Sequence, residues 1–177
     1  MKITRRIVTL LFVVILSLSL SACVSVDFIG SEKSFNGYSA SDLMSNDDSL
    51  ANLAMETPVN ASYGLTSFYS SSESVNGNIN TLSGIYSLYE IQAENDTEIA
   101  FDLEFDTKQI KLVSTHESKK VSLISDSEEK KRAILPIEKG KTIIALVGNR
   151  GKGTIKIDNI ELDLENATIN TIEDDFD

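Results

Sequence analysis

The chain has 177 residues, 41% hydrophobic and 24% charged, with 27 acidic against 16 basic side chains and a net charge of −11. That length suits one domain with attached segments, and the acidic balance excludes nucleic acid and anionic lipid headgroups as partners through general electrostatics. One cysteine and one histidine exclude a disulfide framework, a thiolate cluster and a conventional zinc centre.

The chain opens with Lys2, Arg5 and Arg6, followed by an almost unbroken apolar run from Ile7 to Leu20. The run falls short of the roughly 20 apolar residues that a bilayer-spanning helix needs, so it reads as the core of a signal peptide covering residues 1–22. It ends in Leu20-Ser21-Ala22-Cys23, small residues ahead of a cysteine, which resembles the lipobox of bacterial lipoproteins. The resemblance implies a diacylglyceryl group on the sulfur of Cys23, cleavage between Ala22 and Cys23, and acylation of the new amino terminus. Two acyl chains hold a protein on a membrane where one binds only marginally, each buried methylene contributing about 0.8 kcal/mol. The expected location is therefore the extracytoplasmic face of the cell membrane, with Cys23 as the lipidated residue.

Residues 23–62 are rich in Ser, Asn, Asp and Ala with little two-residue alternation, and read as a tether. A flexible chain of that length spans roughly 35 Å. Within it, Leu43, Met44, Leu50, Leu53 and Ala54 allow a short helix, with Ser41 as N-cap and an end before Pro58.

From residue 63 to 165 the pattern changes to short β-branched and aromatic runs separated by Gly, Asn, Asp and Ser, which predicts an all-β domain of antiparallel sandwich type. Strands are predicted over 75–81 and 85–93, joined near Ser83-Gly84, and over 99–106, 110–115, 120–125 and 131–137. In 99–106 the apolar residues fall at odd positions and Asp102, Glu104 and Asp106 between them, so one face is core and the other wet. Residues 142–147 are apolar at every position but the first, which predicts a strand covered on both sides. The glycine-rich stretch from Gly148 to Gly153 reads as a hairpin turn leading into a strand over 154–158. Ile155 and Ile157 are odd-numbered, whereas Ile160, Leu162 and Leu164 are even-numbered, so a bulge or turn is expected at Asp158-Asn159. Residues 166–177 read as a frayed acidic tail. The strand array over roughly 63–164 looks like small jelly-roll modules of Firmicutes surface proteins, a resemblance of pattern that carries no functional residues.

The residues that could carry chemistry are few. His116 sits among polar residues at a predicted turn and reads as solvated, and neither a GxSxG elbow nor an SxxK set accompanies it. The acidic sets Asp102, Glu104, Asp106 and Asp158, Glu161, Asp163 keep calcium open, although neither matches a DxDxDG loop. Paired carboxylates for glycoside hydrolysis lack the aromatic cleft they need, since the chain has no tryptophan. Gly148 to Gly153 lacks the spacing and the following helix of a phosphate loop. Arg150 and Lys152, placed at its predicted tip, stand out on an acidic protein as contacts for an anionic polymer. Tyr63, Tyr69, Tyr86 and Tyr89 could stack on sugars or anchor a partner, with Tyr86 and Tyr89 expected on opposite faces of one strand.

These features predict a noncatalytic, membrane-anchored lipoprotein without a metal or cofactor, whose domain binds a partner protein or an envelope polymer such as a polysaccharide through Tyr86, Tyr89, Arg150 and Lys152. A carbohydrate-binding module, with or without calcium, is the second reading, and a hydrolase the third.

Overall fold

The computed structural model describes residues 39–45, 62–117 and 120–172. The signal segment, Cys23, the side chain of Tyr63, Leu50, Leu53, Ala54 and the last five residues lie outside them.

A six-residue helix, α1 (Ala40–Ser45), precedes seven strands: β1 (Ser62–Ser70), β2 (Val75–Ala93), β3 (Thr97–His116), β4 (Lys120–Ser125), β5 (Glu129–Ile137), β6 (Gly140–Leu162) and β7 (Ala167–Thr171). All pairings are antiparallel and join the strands into one sheet, in the order β1-β2-β6-β3-β4, with β5 also on β3 and β7 also on β2. The all-β sandwich-like body expected from the strand pattern is present, and its two layers are built from the same three long strands. In one layer the early part of β3 lies between β5 and the late part of β6, which continues to the early part of β2 and β1. In the other, the late part of β3 lies between β4 and the early part of β6, followed by the late part of β2 and β7. We call these the first and second layers.

The bend between layers explains where the predicted boundaries differ from the observed strands. Ser83-Gly84, residues 107–109 and Gly148 to Gly153 were each expected to separate two strands, yet β2, β3 and β6 run through them. Each strand carries a bulge there, marked by a left-handed residue: Gly84 (φ 105°), Gln109 (φ 58°) and Arg150 (φ 54°). The glycine-rich stretch is therefore a bend inside β6, flanked on both sides by strands that keep pairing, and not a hairpin tip. Glycine is required because the backbones approach so closely. A Cβ on Gly153, at φ 148°, would lie 2.5 Å from the Cα of Thr107, and one on Gly151 would lie 2.9 Å from the carbonyl carbon of Gln109. The bulge expected at Asp158-Asn159 is present, with Ala100 opposite Glu161, Asp102 opposite Asp158, and Asn159 at φ 52°.

One main core lies between the layers. It combines Ile99, Phe101, Leu103 and Phe105 of β3 with Ile155 and Ile157 of β6 in the first layer, and with Leu88, Ile91, Ile144 and Leu146 in the second. Burying each such side chain contributes about 1.5–3 kcal/mol. The alternation in residues 99–105 survives intact, with Asp102 and Glu104 half-buried on the outer face.

A second cluster lies on the outside of the second layer, where Ala40 and Leu43 of α1 cover Ile85, Val113, Ile143, Ala145 and Val147. This is why residues 142–147 are buried on both faces. The helix expected in the tether thus packs against the domain. Its N-cap is Ser39 rather than Ser41: Ser39 Oγ accepts from the Asp42 N–H (3.2 Å), and the Asp42 carboxylate accepts from the Ser39 N–H (3.0 Å). Asp42 sits three residues after the cap and can reach back, which selects Ser39. At the other end, the nearly buried Lys111 donates from Nζ to the carbonyl of Met44 (3.0 Å), placing a cation at the helix C-terminus.

Residues 167–171, expected to fray, form the edge strand β7, with Ala167 opposite Ala93 and Thr171 opposite Tyr89. Ala167 is buried in the main core and Ile169 packs against it, so the period of two operates even in this short segment.

Candidate functional site

The outer face of the first layer divides into two chemical zones. Toward β5 it is a ladder of ion pairs. Glu104 meets Lys130, Asp158 meets Lys156, and Arg132 bridges Asp102 (3.1 Å) and Glu161 (2.6 Å). Asn159 also donates to Asp102 (2.7 Å). The amide of Asn159 and the guanidinium of Arg132 hold the Asp102 carboxyl below its usual range, and the ammonium of Lys130 does the same for Glu104. Of the carboxylates named as calcium candidates, Asp102, Glu104 and Glu161 thus meet cations of β5, and Asp158 meets Lys156 of its own strand. Asp163 instead accepts from the Glu165 N–H (3.1 Å) and the Asn166 amide (2.6 Å) in the turn before β7. Among the described residues no group of three or more His, Cys, Asp or Glu is placed to hold a metal.

Toward β1 the face becomes amide- and hydroxyl-rich. One row across β3, β6, β2 and β1 reads Asp106, Thr154, Asn78, Thr66, and the row beside it reads Glu104, Lys156, Asn76, Tyr69. Asn76, Asn78 and Asn80 are all exposed on β2, and Tyr69 is 61% exposed at the end of its row. Between the strands runs an open groove of about 490 Å³, lined by Thr66, Asn78, Asn80, Asp106, Lys108 and Lys152 among others.

The four expected binding residues separate. Lys152 lines this groove; Arg150 is exposed at the bend of β6 but is not among the lining residues, and its N–H donates to Ser83 Oγ (3.1 Å). Tyr86 and Tyr89 do not lie on opposite faces. A register shift between Ser87 and Tyr89 breaks the parity, so that Tyr86, partly buried, packs against the same main core that contains Tyr89. The Tyr86 ring meets Phe68 edge to face, with centroids 5.5 Å apart and planes at 82°. Tyr89 is 1% exposed and has no surface to offer a ligand.

Among the described residues the Tyr89 hydroxyl has no hydrogen-bond partner, and burial pushes its ionisation above the usual phenol range. An unpaired buried hydroxyl costs about 1–3 kcal/mol. Tyr89→Phe is therefore expected to raise the thermal unfolding midpoint; a lowered midpoint in calorimetry would mean that the hydroxyl has a partner.

His116, expected as a solvated turn residue, is the last residue of β3, with only 16% of its side chain exposed. Its Nδ1 lies 3.0 Å from Thr142 Oγ1, and its Nε2 lies 4.0 Å from Glu138, which in turn accepts from Lys120 (2.8 Å). The hydroxyl, imidazole and carboxylate follow the order of a nucleophilic triad. Thr142, however, is 3% exposed and the adjoining cavity measures about 40 Å³, room for a water molecule but not for a substrate. These contacts tie β3, β4, β5 and β6 together at one end.

A larger cavity of about 730 Å³ opens beside β7, with Ile160, Leu162, Leu164 and Ile169 on its walls. β6 beyond Ile157 has no β2 partner, because β2 begins at Val75 opposite that residue.

Two kinds of candidate residue are not evident from the sequence alone. Asn76, Asn78 and Asn80 repeat every second position of a strand although asparagine is disfavoured in strands, and that combination was the available signal. The pairing of Lys108 with Lys152 depends on register and had no local signal.

No family model matches this chain, and no curated protein or solved structure matches it.

Proposed function

We propose that the chain is a lipid-anchored lipoprotein of the extracytoplasmic membrane face, whose β-domain binds an envelope polymer or a partner protein without catalysis. The anchor rests on Leu20-Ser21-Ala22-Cys23 following a basic and an apolar segment. Among the described residues no helix is long and apolar enough to cross a membrane. The observation that carries the binding role is the outer face of the first layer, where Asn76, Asn78, Asn80, Thr66 and Thr154 stand exposed beside Tyr69. Amides and hydroxyls both donate and accept hydrogen bonds, and an exposed tyrosine supplies an aromatic face next to them. The same composition favours carbohydrate as the second reading, since sugar hydroxyls make the same paired demands.

Two measurements test the two halves of the proposal. Cys23→Ser is expected to move the protein from the membrane fraction to the soluble fraction and to stop processing; unchanged fractionation and processing would remove the anchor. Pull-downs with the full chain from envelope extracts are expected to retain a ligand that Asn78→Ala and Tyr69→Ala lose, and retention unaffected by either would move binding off this face.

A further inference from the structure

The groove holds an electrostatic anomaly. Lys108 of β3 and Lys152 of β6 are direct cross-strand partners, both exposed, and both line the groove. Like charges directly opposite one another on a sheet repel. Elsewhere on this face the cations have carboxylate partners: Lys130 with Glu104, Arg132 with Asp102 and Glu161, Lys156 with Asp158. Among the described residues, neither Lys108 nor Lys152 has an ion pair or a side-chain hydrogen bond, in a chain with 27 acidic residues. An anion placed between them relieves the repulsion and supplies the missing partner.

Resting on the reading of this face as a binding surface, the geometry points to a groove for a single strand of an anionic polysaccharide. Lys108 and Lys152 hold its acidic group, and Thr66, Asn78, Asn80 and Thr154 hydrogen-bond its hydroxyls. The groove is open, and the side chains of Thr66, Asn78, Asn80, Asp106, Lys108 and Lys152 reach it beside the apolar Ile79, a mixture that suits the hydroxyls, acidic groups and ring carbons of a sugar chain. Asp106, also in the lining, accepts from a hydroxyl and repels a second acidic group at its end of the groove. It thereby favours a polymer whose charges are spaced rather than contiguous. An anionic membrane surface fits less well. Asp102, Glu104 and Asp158 stand on the same face and approach a flat surface together with the lysines, whereas a single strand follows the groove past them.

The full chain in neutral detergent micelles is titrated with three fluorescent probes: carboxymethyl-dextran, unmodified dextran and polyglutamate. Carboxymethyl-dextran is expected to bind at least tenfold more tightly than either of the others, with affinity falling as salt rises. The double variant Lys108→Gln/Lys152→Gln is expected to lose about tenfold in affinity, the equivalent of one charge-assisted hydrogen bond. Its unfolding midpoint should stay level or rise, because the like-charge pair is gone, which separates lost binding from lost folding. Asn78→Ala should weaken the dextran derivative and leave polyglutamate unchanged. Equal binding of polyglutamate, unaltered affinity in the lysine variant, or no binding to any probe overturns the proposal. So does displacement of the polymer by micelles doped with phosphatidylglycerol but not with phosphatidylcholine, which assigns the groove to headgroups. If the double variant still captures its envelope ligand in pull-downs, the polysaccharide assignment falls while the broader binding role stands.

Discussion

Gly153→Val is expected to prevent the domain from folding. At φ 148° a branched side chain is forced into a backbone conformation it does not adopt. Its Cβ would lie 2.5 Å from the Cα of Thr107 and closer still to the carbonyl of Asp106. Both obstacles are backbone atoms of the neighbouring strand, so no rotamer change relieves them. The cost should exceed about 4 kcal/mol, against a total stability of about 5–15 kcal/mol for a domain of ordinary size. Gly64→Ala supplies the contrast, since a Cβ there meets Thr81 Cγ2 at 3.5 Å and Asn80 Cβ at 3.8 Å, both ordinary contacts; it should change stability by less than about 1 kcal/mol. Urea unfolding followed by circular dichroism measures both. A Gly153→Val protein with native stability would mean that β3 and β6 do not pass one another as closely as described.

Leu43→Asp is the second large effect. Leu43 is fully buried between α1 and the outside of the second layer, against Ile85, Val113, Ile143, Ala145 and Val147. Replacing it with a carboxylate removes the apolar contact and puts a charge where it has no partner, at a cost of about 3–5 kcal/mol. The helix should detach and leave the β6 side chains Ile143, Ala145 and Val147 open to water. The expected signature combines a lowered unfolding midpoint with binding of a hydrophobic dye and concentration-dependent aggregation. An unchanged midpoint with no dye binding would show that α1 does not contribute to the domain.

The legible parts of this fold were those decided locally. Ile99, Phe101, Leu103 and Phe105 declare a period of two within seven residues, and the absence of alternation in residues 142–147 announced cover on both sides. The phase change between Ile157 and Ile160 located the bulge at Asn159. The parts that escaped depended on other strands. A glycine at a reversal and a glycine at a close backbone crossing leave the same trace in one sequence, and only the continued pairing of Lys108 with Lys152 and Gly84 with Gly148 distinguishes them. Tyr86 and Tyr89 were assigned by parity, which a single bulged residue reverses. At the site, Lys152 was visible as a cation in acidic surroundings, but Lys108 is 44 positions away in sequence and becomes its neighbour only through register.

The sharing of β2, β3 and β6 between both layers has a mechanical consequence. In a sandwich made of two separate sheets, layers can slide or part by breaking side-chain contacts alone. Here the same three backbones run through both layers, so a tug on a ligand held at one layer travels through covalent bonds into the other. Separating the layers would require straightening the bulges at Gly84, Gln109 and Arg150 together. Such a domain resists shear as one body, a property that would serve the proposed role of a lipid-anchored protein holding a polymer.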